Sequence, residues 1–506
     1  MPPRWYIHLA VVVSGAGVLA AEMLGTRLIG PFYGAGLYLW SALIVVALSA
    51  LSLGYWLGGR AVDRNPSTAT FCALPGAAGI WIALIPWLLH PALSATEWMG
   101  LRGAVLVSSF ILFFPPLALL GMVTPFAVRL RTAGMEVVGR RAGEIYALST
   151  VASVAAAVAA GFFLIPALGA ARLAFLTGVS LVVTALAGAS FIKGRAIPAA
   201  ILIIAAVAAG ASLDPGEKAD PEAGLLAVEN SPYAEIRVVD FDGFRMMLID
   251  GAVHTEVDAE TMESHSAYVD VIALANGFYY APGSMLLVGL GGGSIAKEFA
   301  DMGWIVDAVE IDPAVTGIAK SHFGLEPSDA KVFHMDGREF LMETENEYEL
   351  IVLDAFGSSS IPFHLVTEEA FALVASRLAP HGVVAVNLIA VGWHSQIVHS
   401  LAATMNRVFE RVTVLPIAEP PGQLGNLILF ASNRELEPVE EPPVPMDRFS
   451  PEYNRAHAWA NRFEVDPAGV RVLTDDRNPV DIWAEGINLE MRKALHRYFG
   501  KSGVGW

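Results

Sequence analysis

The first 212 residues contain seven long apolar stretches, near 5–24, 37–58, 71–90, 104–128, 144–167, 172–192 and 196–212. A bilayer core about 30 Å thick takes roughly 20 helical residues, and any backbone entering it must satisfy its own hydrogen bonds. That demand leaves a bundle of spanning helices as the expected fold of this half. A buried soluble bundle is the alternative, and so many stretches in so short a length disfavour it. Only Lys193-Gly194-Arg195 separates the last two, and Pro115-Pro116 should kink the fourth. Mean hydropathy over the whole chain is +0.52, too apolar for an ordinary soluble enzyme of this length.

Charge divides the chain at the same place. It carries 32 Lys+Arg and 50 Asp+Glu over 506 residues. The first 212 hold 12 and 5 of these, which leaves 20 and 45 behind. An apolar, mildly basic front is therefore joined to an acidic, water-soluble back. The acidic half favours small cations as partners and disfavours nucleic acid. With seven spans, nine basic loop residues fall on one side of the bilayer and three on the other. That imbalance puts the N-terminus in the cytoplasm and the back half outside it. One span fewer reverses the second conclusion. The lone Cys72 excludes an intrachain disulfide and a cysteine metal cage, and no histidines show paired ligand spacing, so no metal site is expected.

The expected division is a membrane domain over 1–212, a linker over 213–224, a hairpin and helix over 225–283, and an α/β core over 284–506. Asp240-Phe241-Asp242-Gly243 is a turn between two apolar runs, and 258–276 reads as a helix. Strands are expected at 285–289, 305–310, 331–334, 349–353, 383–387, 411–415 and 426–431, with helices between most of them. This alternation predicts a doubly wound, mostly parallel sheet.

Several strands end in residues suited to a nucleoside. The first runs into Gly289-Leu290-Gly291-Gly292-Gly293, where glycines let a ligand approach a helix N-terminus. The next ends near Glu310, about 20 residues on, where an acid suits the two hydroxyls of a ribose. The third ends in Asp336-Gly337, where an adenine amino group could be read, and the fourth in Asp354, which faces the ligand crevice. Any one of these acids could instead cap a helix, and Asp312 before Pro313 is read that way.

These residues resemble the spermidine synthase (polyamine aminopropyltransferase) family in its membrane-fused form. The resemblance rests on Leu248-Ile249-Asp250-Gly251 with His254, the glycine loop, Glu310, Asp336-Gly337 and Asp354. Ile361-Pro362-Phe363-His364-Leu365-Val366-Thr367 and Leu473-Thr474-Asp475-Asp476-Arg477-Asn478-Pro479 are similar to the fused subfamily in particular, as are Ser52–Arg60 and Glu144–Thr150 in the front half. It implies a multi-pass α-helical membrane domain followed by a Rossmann-like, methyltransferase-type α/β domain with an N-terminal β-hairpin region. It also implies a reaction, in which an amine takes an aminopropyl group from decarboxylated S-adenosylmethionine and methylthioadenosine leaves. No tightly bound cofactor is implied. On this resemblance Asp354 is catalytic, Gly289, Gly291, Gly293, Glu310, Asp336 and Gly337 hold the nucleoside, and His254 stands where soluble enzymes carry a substrate-facing glutamine. Soluble members are oligomeric through this domain, so a homodimer is implied.

Two departures stand out. The loop acid of soluble members aligns with Gly291, and their second catalytic-loop acid with Gly357. Candidate replacements are Glu256, Glu263, Asp475 and Asp476, although Asp475-Asp476 reads equally well as a helix cap. His265 and Tyr268 could line the mouth of the site or simply pack. The departures keep two further functions open. One is methyl transfer from S-adenosylmethionine itself. The other is a non-catalytic polyamine transporter or sensor, for which Glu22 in the first span is the motivating residue.

Overall fold

The computed structural model describes residues 2–33, 36–132, 137–192, 219–355, 362–417, 420–439, 447, 450–480, 482–484, 487 and 490–491. The chain divides into two compact units, one of residues 1–217 with 230–232, the other of 218–229 with 233–506.

Among the described residues, the first unit contains six helices long and apolar enough to cross a membrane: α1 (Arg4–Tyr33), α2 (Leu37–Arg64), α3 (Thr68–Thr96), α4 (Gly100–Arg131), α5 (Val138–Leu168) and α6 (Ala170–Ala189). The seventh expected span, 196–212, lies outside the described residues. Helix α4 runs unbroken through Pro115 and Pro116. Small residues let helix backbones touch, since in lipid packing replaces the hydrophobic drive. A Cβ on Gly79 of α3 would come 2.6 Å from the Gly178 carbonyl of α6. Ser153 of α5 donates to the Gly15 carbonyl of α1 at 2.7 Å, which accounts for one polar group of that span by helix–helix bonding. Large apolar side chains face outward, among them Leu48, Val151 and Phe162.

The second unit begins with a four-stranded antiparallel sheet in the order β1 (Leu225–Asn230), β2 (Glu235–Phe241), β3 (Phe244–Ile249), β4 (Ala252–Asp258). The expected hairpin is β2–β3, turning at Asp242-Gly243 with both residues at positive φ. The expected helix over 258–276 is shorter. Asp258 accepts from the Glu260 and Thr261 backbone N–H groups, and Val257 bridges Ser264, so 258–266 folds back on the sheet. The helix itself is Ala267–Ile272, continued by a 3-10 turn to Phe278.

All seven expected strands of the core are present. They are β5 (Ser284–Val288), β6 (Ile305–Val309), β7 (Lys331–Phe333), β8 (Tyr348–Leu353), β9 (Leu378–Val391), β10 (Arg411–Pro416) and β11 (Leu424–Ser432). The sheet order is β10-β11-β9-β8-β5-β6-β7. Strands β5 to β9 pair in parallel, and β11 and β10 close one edge antiparallel. Neighbouring residues feed opposite faces. Leu286, Ile351 and Val384 pack on one side, Leu287, Leu350 and Val383 on the other. A central strand buried on both faces must read as a continuous apolar run, and Met285-Leu286-Leu287-Val288 does. This is a Rossmann-like, methyltransferase-type core.

Candidate active site

The chain runs from β5 out to β6 and β7, then returns to the other side of β5 as β8. Loops leaving the C-terminal ends of β5 and β8 therefore diverge and open a crevice. A cavity of about 440 Å³ lies there, wholly within the second unit. Its described lining includes Glu256, Glu310, Asp312, Asp336 and Asp354, and no Lys or Arg.

Backbone conformation shapes the side of the cavity below the strand ends. Gly289 has φ +92°, and a Cβ there would come 2.5 Å from the Asp354 carbonyl. Only glycine lets the two strand ends approach so closely. A Cβ on Gly337 would collide with Val288 Cγ1. Gly289, Gly291 and Gly337 all line the cavity. Gly293 does not: it stands at the start of helix Ser294–Asp301 and packs on Leu325, because the loop has already turned into the helix. The loop rests on Thr255, whose hydroxyl accepts the Gly292 N–H at 2.8 Å.

The strand-end acids differ in their bonding. Glu310 is buried, and its carboxylate accepts from the Leu290 and Asp312 backbone N–H groups at 3.1 and 3.0 Å. Burial pushes its carboxyl up in spite of those bonds. Asp312 caps helix Pro313–His322, accepting from Ala314 N–H at 3.0 Å. Asp336 is a cap as well as a liner. Its Oδ1 accepts from Arg338 and Glu339 N–H at 2.9 and 3.1 Å, and its Oδ2 lies 2.9 Å from His364 Nε2. Burial acts upward on it, but His364 and the backbone donors prevail and hold it below the usual value.

Asp354 follows β8. Asn387 Nδ2 donates to its Oδ1 at 2.7 Å and the Tyr268 hydroxyl to its Oδ2 at 3.4 Å. Asn387 is in turn oriented by Asn426 Nδ2 at 2.9 Å. Burial pushes Asp354 up to about 7, with Asn387 and Tyr268 opposing. It therefore changes charge near neutral pH, which suits a proton acceptor.

The hairpin sheet supplies the other wall. Pairing of β3 with β4 slips between Met247 and Leu248, so His254 is the extra residue of a β-bulge. Bulges re-aim side chains. His254, Glu256 and Tyr268 all line the cavity. Burial lowers His254 to about 4, so the ring is neutral, and its buried Nε2 has no hydrogen-bond partner among the described residues. Burial raises Glu256, with His265 opposing.

Four expected residues lie elsewhere. His265 precedes the helix instead of standing on it, is exposed and packs its ring, tilted by 36°, against Phe244 with centroids 4.4 Å apart. Glu263 is exposed at the sheet margin. Asp475 and Asp476 form the tight turn between Thr474 and Arg477, so neither caps a helix and neither lines the cavity. Asp475 is instead committed to Arg338. Gly357 lies outside the described residues. Asn387, Asn426, Thr255 and His364 were not singled out for the site. An asparagine inside the apolar run of β9 was the available signal.

Residues 265–440 match the family described as Spermine/spermidine synthase domain. The matched segment lies in the second unit and takes in the glycine loop, Glu310, Asp336 and Asp354. The six long apolar helices precede it in the same chain, an arrangement consistent with a fusion. A probable polyamine aminopropyl transferase of Bifidobacterium longum is 29% identical over 235 residues, which are 42% of this chain and 52% of the relative. Polyamine aminopropyltransferase 1 of Aquifex aeolicus is 27% identical over 206 residues, 38% of this chain and 72% of the relative. The chain thus spans about half the length of the first of these relatives. Among solved structures, a probable spermidine synthase from Corynebacterium glutamicum aligns at 20% identity and TM-score 0.42, covering 50% of this chain and 96% of that one.

Proposed function

We propose that this domain transfers an aminopropyl group from decarboxylated S-adenosylmethionine to a small di- or polyamine, and that the apolar helices hold it in a lipid bilayer. The observation that carries the reading is Asp354 at the sheet's switch point, in a cavity lined by five carboxylates and no Lys or Arg among the described residues. A sulfonium donor and an amine acceptor are both cationic, and such a lining favours both. S-adenosylmethionine itself bears a carboxylate, for which the described lining offers no cation. This supports aminopropyl over methyl transfer.

In this reading Glu310 accepts from the ribose hydroxyls and Asp336 from the base amino group. The neutral amine attacks the carbon next to sulfur. The new C–N bond forms as the C–S bond breaks, and the electron pair stays on sulfur as a neutral thioether. Asp354, ionised, takes the proton that the amine releases and orients the amine through its fixed oxygens. Neutral His254 Nε2 accepts a hydrogen bond from the amine's distal nitrogen, and Glu256 supplies a counter-charge. Together they replace the acids that are missing at Gly291 and Gly357.

Detergent-purified chain, supplied with decarboxylated S-adenosylmethionine and putrescine, cadaverine, agmatine or spermidine, should yield methylthioadenosine and a longer amine by mass spectrometry, with both lost in Asp354→Asn. Product from S-adenosylmethionine instead would overturn the donor assignment. The side of the membrane turns on 196–212. If that segment spans, loop charge places the domain outside the cytoplasm, and a C-terminal reporter active only in the cytoplasm would sink that placement.

A further inference from the structure

Two motifs play no part in that chemistry, the segment Pro362–Thr367 and the turn 474–478. The structure ties them to each other and to Asp336. Arg338, in the helix that Asp336 caps, donates Nη1 to the His364 carbonyl at 3.0 Å and to Asp475 Oδ1 at 2.8 Å, and Nη2 to Asp475 Oδ2 at 2.6 Å. A bidentate pair of this kind fixes orientation as well as distance. The Thr367 hydroxyl donates to Asp475 Oδ1 at 2.8 Å. Asn478 Nδ2 donates to the Phe363 carbonyl, and Glu368 N–H to the Leu473 carbonyl, both at 2.8 Å. Three segments far apart in sequence are thus clasped beside the cavity, and the clasp sets the backbone of His364.

The consequence falls on Asp336. Its Oδ1 is committed to two backbone N–H groups, and its Oδ2 takes one bond from His364. One acceptor position on Oδ2 remains, at a cavity that both Asp336 and His364 line. A carboxylate free to rotate accepts from many directions and discriminates poorly. A carboxylate held at three positions offers its last one in a single direction.

We propose that Arg338, Asp475 and His364 are positioning residues that orient Asp336 to accept a hydrogen bond from the exocyclic amino group of a 6-aminopurine nucleoside, and so set base specificity. The inference rests on the reading that the donor is an adenosyl compound. A 6-oxopurine would present an oxygen to the same fixed oxygen and be rejected.

The test is calorimetric binding of methylthioadenosine and methylthioinosine to full-length protein, beside donor and acceptor KM. Wild type should prefer the 6-amino nucleoside. His364→Ala and Asp475→Asn should narrow that preference about tenfold, by weakening methylthioadenosine alone, and raise donor KM with acceptor KM unchanged. His364→Gln and Asp475→Glu, which keep a donor and a charge respectively, should recover part of it. Equal weakening of both nucleosides, or an unchanged preference, would overturn the proposal. Wild type that makes product while these variants keep their preference would sink this inference alone. Discriminating binding without product from any amine would sink the transfer reading and leave this one standing. Wild type that binds neither nucleoside would end both.

Discussion

Replacing Asp354 by asparagine should stabilise the protein and inactivate it together. The substitution keeps the shape of the side chain and removes its charge. Burial raises the folded-state value of this carboxyl from 3.8 to about 7. Folding therefore favours its protonated form, and ionisation costs stability. The cost is absent well below pH 4, grows between about pH 4 and pH 7, and is complete above that. The full displacement is worth at most about 4 kcal/mol. Asp354 keeps partial exposure at the cavity, and Asn387 loses an ionic partner in the variant, so a gain of about 1–2 kcal/mol is expected at pH 8. For a domain of this size that raises the midpoint by roughly 2–3 °C. Thermal unfolding of full-length wild type and Asp354→Asn at pH 4.5 and pH 8 reads the difference, with turnover measured at pH 8. A variant no more stable than wild type at pH 8 would refute the burial argument, as would an equal gain at both pH values. Retained turnover would refute the role of Asp354.

Three other outcomes follow from the same geometry. Asn387→Ala removes a bond that holds Asp354 down, so the acidic limb of the pH–rate profile should move to higher pH, and an unmoved limb would count against Asp354 as the titrating group. Glu310→Gln sets an amide N–H against the Leu290 or Asp312 N–H, which should cost about 1–3 kcal/mol of stability and weaken nucleoside binding in titration calorimetry. Gly178→Val would force α6 off α3, where their backbones touch at Gly79, and should lower the detergent unfolding midpoint by several degrees, whereas the same change at exposed Gly139 should not.

Much of the core was legible because its signals are local. A strand buried on both faces has to be apolar throughout, so β5 declared itself, as did the apolar C-terminal parts of β6 and β8. The C-terminal ends of these strands and of β7 had to carry any ligand chemistry, which picked out Gly289, Glu310, Asp336 and Asp354. Asp312 before Pro313 was legible as a cap for the same reason. The segment 258–266 was misread because its turn is made by the Asp258 side chain, and an acid followed by polar residues looks equally like a helix start. His265 was placed beside Tyr268 on that false helix, and the error carried it into the site.

Asp475 marks the boundary of what sequence can say. As an acid in a distinctive motif it looked like a substrate ligand, and only the fold brings it to Arg338, 137 residues away. Asn387 reaches Asp354 across 33 residues because β8 and β9 pair with Leu353 opposite Val386, which no local pattern encodes. Local pattern alone fixes the order of apolar helices before an acidic α/β core with carboxylates at its strand ends, since hydrophobic runs, turn glycines and caps act over a few residues. Tertiary structure alone decided which of those carboxylates face the cavity, which are spent on holding the chain, and which neighbours set their charge, because burial and pairing arise only when distant segments meet.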